Sequence, residues 1–222
     1  MTFYLPILAV ALGFVIAVFL KPALNTGIKL LLSFSGAFLL SVTVFEFLPE
    51  IYAVGVPHVG LFIMMGLLLQ LLLEFLSKGA EHGHVHATET ASKVPVLLIL
   101  SLSVHAVLEG FPLGQNEDIL YGVVVHKIPI AIIVSTFLLK EIKNRWTIGI
   151  ILLTFALMTP LGSLIGVKTT IPMHLRTQIN AVVVGVLLHV STTILFESSK
   201  NHQFNASKFG VILLGIALAY FL

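Results

Sequence analysis

His105 and Glu109 stand four residues apart in the stretch HAVLEG, inside an apolar run from Val94 to Leu113. Residues at i and i+4 share a helix face. The pair therefore offers an imidazole and a carboxylate to one point, and Ser101 continues the stripe one turn earlier. A second stretch, HKIPIA at 126–131, adds His126, Lys127 and Pro129. The chain has no cysteine, which excludes disulfides and thiolate ligands. Imidazole with carboxylate suits Zn(2+), Fe(2+) or Mn(2+) better than Ca(2+) or Mg(2+). The competing reading of His105 and Glu109 is a structural hydrogen bond between helices. Ionisable groups inside an apolar helix are costly, however, and mark functional sites by default.

The elements that must position these groups are long and greasy. Of 222 residues, 58% are hydrophobic and 10% charged, with mean hydropathy +1.08. Soluble domains are about a quarter charged, so the expected partner is the lipid bilayer. The net charge of +2 comes from Lys and Arg at segment ends, which argues against nucleic acid. A span needs about 20 apolar residues, and eight segments qualify: 3–20, 28–48, 57–76, 94–113, 118–139, 147–167, 177–196 and the shorter 207–222. The first lacks a basic leader and is expected to be a span, not a signal peptide. The fold class is all-α: a polytopic membrane protein forming one domain over 1–222, with a histidine-containing loop at about 77–93. Basic residues split nine to two between odd and even loops. Positive-inside then puts both termini on the non-cytoplasmic side of a cell membrane and the 77–93 loop in the cytoplasm.

This topology brings the two stretches together. Entering from opposite faces at 1.5 Å per residue, His105 lies about 16 Å deep and His126 about 12 Å deep. Both fall near the middle of a core about 30 Å thick. Pro129 cannot donate to the carbonyl of Val125, so a kink and a liberated oxygen are expected beside His126.

Other polar groups could serve as stations along a pathway. Glu46, Gln70, Glu74 and His189 lie within spans two, three and seven. In the 77–93 loop, His82, His84 and His86 alternate in EHGHVH; they could capture metal loosely or simply be solvated. GAFLLSVTVFEFLPE in span two and GVLLHVSTTILFES in span seven both begin with Gly, turn polar and end on an acid. They run in opposite directions, as halves of an inverted repeat would.

The sequence resembles the ZIP (Zrt/Irt-like) family of divalent metal transporters. HAVLEG looks like its HNxPEG motif in span four, HKIP like its span-five HExP or QDIP motif, FEFLPE like its HLLPE ending and TPLGSLIG like its PLG segment. The resemblance implies an inverted-repeat bundle of eight spans, one helical bundle sliding against another, and a transport site on spans four and five. It also implies that His105, Glu109 and His126 are metal ligands and that a homodimer can form. Lys127 stands where the family has an acid, and Ile130 and Ala131 where a further Glu or His is usual. Span seven supplies no acid near Thr193 or Ile194, so a second metal position is expected to be lost. Lys127 becomes a site-modulating cation, which either pairs with Glu109 or gives up a proton as metal enters.

The expected function is transport of a divalent metal ion toward the cytoplasm, with Zn(2+) the first candidate substrate, Fe(2+) or Mn(2+) behind it, and no prosthetic group. The alternative is a ZIP-like chain that no longer transports and acts as a metal sensor or partner subunit. An enzyme is not expected, since an intramembrane hydrolase built on Glu109 would lack an HExxH-type motif.

Overall fold

Apolar segments in lipid must satisfy their own backbone hydrogen bonds, and every span expected from the sequence is helical. The computed structural model describes residues 1–20, 26–77, 96–197 and 206–222. Its helices are α1 (Tyr4–Leu20), α2 (Thr26–Val42), α3 (Val59–Ser77), α4 (Val96–Gly110), α5 (Glu117–Glu141), α6 (Arg145–Lys168), α7 (Met173–Glu197) and α8 (Ala206–Tyr220). A π-helical turn, Thr43–Phe47, joins α2 to a further helical stretch, Leu48–Ala53. A tight turn at Phe111–Gly114 ends α4. Helices α2 to α7 are long and apolar enough to cross a bilayer, while α1 and α8 are shorter apolar helices. The chain is an all-α, multi-pass membrane protein. The 77–93 loop, with His82, His84 and His86, lies outside the described residues apart from Ser77.

Local signals set the boundaries. The Asn116 side chain accepts from the Ile119 amide at 3.0 Å and caps α5, and Asn144 caps α6 through Trp146. Between α2 and α3 the chain reverses through Gly55 and His58, both at positive φ. Helix α5 runs without interruption through the buried Pro129.

The closest helix pairs are α3 with α7, α1 with α5, α2 with α8, and α4 with α6. Exchanging 1 with 6, 2 with 7, 3 with 8 and 4 with 5 maps these four pairs onto one another, as an inverted repeat requires. Glycines mark the crossings in the same paired way. A Cβ on Gly66 of α3 would lie 1.9 Å from the Val182 carbonyl oxygen of α7, and Gly215 is its counterpart where α8 meets α2. A Cβ on Gly162 of α6 would lie 2.0 Å from the Val107 carbonyl oxygen of α4, and Gly13 is its counterpart where α1 meets α5. Helices in lipid gain most from this close backbone approach. The strong pairings sort the helices into four couples, with α2 also lying against both α5 and α7.

Candidate metal centre

Helices α4, α5 and α6 supply the most buried polar cluster. His105, Glu109, His126 and Lys127 are each at most 2% exposed. Gly162 lets α6 approach α4 closely, and this brings the buried Thr159 within reach of Glu109. The Thr159 hydroxyl donates to Glu109 Oε1 at 2.9 Å, and the Lys127 ammonium donates to the same oxygen. That ammonium also sits 4.9 Å from the centroid of the Phe155 ring, a cation–π distance. Thr159 and Phe155 were not singled out from the sequence as site residues. Their i, i+4 spacing on α6, just before the PLG glycine, was the available signal.

The other oxygen, Glu109 Oε2, faces His105 Nε2 at 3.4 Å. His105 Nδ1 lies 3.1 Å from Gln70 Oε1 on α3. An amide oxygen only accepts, so Nδ1 carries a proton, and in the neutral ring Nε2 turns its lone pair to the carboxylate. Two acceptors in this arrangement call for a cation or a proton between them. The separation is informative: a direct N–H···O bond prefers 2.7–3.2 Å, whereas two ligands about 2.1 Å from a tetrahedral zinc lie about 3.4 Å apart. His126 meets His105 edge-on, with ring centroids 6.4 Å apart and planes at 73°. Among the described residues, no three His, Asp or Glu side chains are grouped so as to hold one ion.

The remaining candidates fall in different places. Gln70 is fully buried as the outer partner of His105. The Ser101 hydroxyl donates to the Leu73 carbonyl of α3 at 2.5 Å. Glu74 and His189 meet each other across α3 and α7, with Oε2 and Nε2 3.4 Å apart. Glu46 is exposed on the π-helical turn, away from this cluster. Glu50, at the following helical stretch, accepts from the Asn116 side chain at 2.7 Å.

A family model described as ZIP Zinc transporter matches residues 77–222. The chain is 30% identical over 136 residues to a zinc transporter ZIP1 of Plasmodium falciparum, covering 55% of this chain and 38% of that protein. It is 29% identical over 144 residues to zinc transporter ZIP1 of Danio rerio, covering 60% of this chain and 46% of that one. Protein zntD of Dictyostelium discoideum is 29% identical over 107 residues, 40% of this chain and 16% of that protein. The chain thus spans less than half the length of the curated relatives it matches. The fold and buried cluster describe a polytopic membrane protein with a polar interior of His, Glu and Lys. The chain belongs to the ZIP zinc transporter family.

Proposed function

We propose that this chain carries a divalent transition metal ion, zinc first, across the membrane toward the cytoplasm through the cluster on α4 and α5. The observation that carries this reading is the pair of facing acceptors, His105 Nε2 and Glu109 Oε2, buried at zinc's bite distance. His126 completes the shell by turning toward them, and water fills the fourth position, as open zinc sites allow. The zinc transporters among the relatives agree with this substrate.

Lys127 sets the strength of the hold. It shares Glu109 with the metal, engaging Oε1 while Oε2 stays turned to His105. With no ion bound, the lysine and carboxylate make a neutral pair, so the empty site is not left with an uncompensated buried charge. With an ion bound, the nearby ammonium repels it. A transporter gains from both effects, because the empty carrier must persist and the loaded one must release.

The non-transporting sensor is favoured by one observation: Lys127 already engages Glu109, and His126 stands off from the other two ligands. Uptake of radiolabelled zinc into proteoliposomes separates the two readings. Wild type is expected to accumulate zinc, and His105→Ala to lose more than about tenfold of that rate, since even an outer-shell loss has such an effect on a metal site. Equal uptake by the two proteins would overturn the site assignment.

A further inference from the structure

A second place in the chain repeats the donor geometry of the buried cluster with different residues. Glu74 lies one turn beyond Gln70 on α3, and His189 lies on α7. The two helices run parallel: Gly66 packs on Val182, and Glu74, further along, meets His189. Nε2 of His189 and Oε2 of Glu74 are 3.4 Å apart. The Thr193 hydroxyl donates its one hydrogen to the His189 carbonyl at 2.8 Å and lies 3.0 Å from Nδ1 of the same residue. With that hydrogen committed, the hydroxyl oxygen accepts from Nδ1–H. In the neutral ring the lone pair of Nε2 then points at a carboxylate oxygen, as in neutral His105, so an arriving cation displaces at most a proton. Two unrelated anchors, an amide on another helix and a hydroxyl one turn away, produce the same tautomer and the same separation.

We infer that Glu74 and His189 form a second divalent-cation station, distinct from the buried one and weaker. A zinc ion between them has two protein ligands and takes water for the rest, consistent with tetrahedral coordination at this separation. Thr193 acts as the outer partner that orients the imidazole. The position suits a relay. Gln70 touches His105 at one level of α3, and Glu74 lies about 6 Å further along the axis, toward the Ser77 end. Exposure rises in the same direction, from at most 2% at His105 and Glu109 to 10% at His189 and 18% at Glu74. An ion leaving the buried site toward that end meets this pair next. The pair also lies within the α3–α7 couple, whereas His105 and Glu109 lie on α4 and His126 on α5. Its role as a relay rests on the transport reading; its capacity to bind metal does not.

The chain contains no cysteine, so His189→Cys introduces a single thiol into it. Cadmium favours thiolate, and titration with Cd(II) in detergent is expected to raise a cadmium–thiolate charge-transfer band saturating near one equivalent. Adding Glu74→Gln to that variant is expected to weaken the titration by about tenfold or more, the effect of removing a ligand's partner. The same band is expected when His105→Ala is also present, which separates this station from the buried site. Absence of the band, or a titration unaffected by Glu74→Gln, overturns the proposal. Should His189→Cys fail to fold, Glu74→Cys carries the same test with His189→Gln as its partner change. If the band behaves as expected while His105→Ala transports normally, the station stands and the assignment of the buried site falls.

Discussion

Two histidine–glutamate pairs in this chain set Nε2 against Oε2 at 3.4 Å, yet their surroundings differ in almost every other respect. The His105–Glu109 pair lies on one helix, is sealed from solvent, and shares its carboxylate with Lys127 and Thr159. The Glu74–His189 pair bridges two helices, is partly open, and is oriented by Thr193 within α7. Identical donors therefore sit in opposite settings. Burial makes the first pair depend on an internal counter-cation, while the side chains of the second are 10% and 18% exposed.

The sharpest way to break this comparison is to remove each carboxylate. Glu109→Ala strands the Lys127 charge, and thermal unfolding in detergent is expected to show a loss of about 3–5 kcal/mol. Glu109→Gln with Lys127→Met should recover most of that stability without recovering zinc binding. Glu74→Gln is expected to cost less, because it keeps the side chain's shape and strands no fixed charge such as that of Lys127. Equal losses at the two sites would mean that their difference in burial has no energetic weight.

Glycine contacts offer a finer cut. Gly162→Ala drives a methyl into the Val107 carbonyl and should push Thr159 away from Glu109, whereas Gly66→Ala pries α3 from α7 and should separate Glu74 from His189. Each is expected to destabilise by about 1–3 kcal/mol or more. Zinc binding at the buried site should fall for the first, and cadmium titration of His189→Cys should weaken for the second. Loss of both readouts in either variant would show the two sites to be one unit.

The smallest expected effects come from the two threonines. Thr159→Val removes one hydrogen bond to a charged acceptor, worth about 1.5–3 kcal/mol in the buried cluster. Thr193→Val removes a neutral anchor worth about 1 kcal/mol. Zinc affinity measured by equilibrium dialysis should follow that order, and the reverse order would contradict the assignment of strong and weak sites.

Much of this was legible before any coordinates. Spacing alone put Ser101, His105 and Glu109 on one face, and counting residues from opposite membrane faces brought His126 to the depth of His105. Helix neighbours were not legible. Depth and facing are local properties of one helix, but the meeting of Glu74 with His189, or of Thr159 with Glu109, depends on which helices touch. That choice is made by glycine contacts such as Gly66 on Val182. Glu46 illustrates a different loss. A 3.6-residue period fails across the π-helical turn Thr43–Phe47, where wider turns shift the phase of the face, and the glutamate is exposed.

The bond between Gln70 and His105 joins the α3–α7 couple to the α4–α6 couple. A shift of even an ångström between α3 and α4 along that bond would stretch it beyond hydrogen-bonding range. Nε2 would then lose the outer partner that raises its basicity. On the transport reading, a displacement of α3 against α4 would in this way weaken the imidazole's hold on an ion without any separate latch.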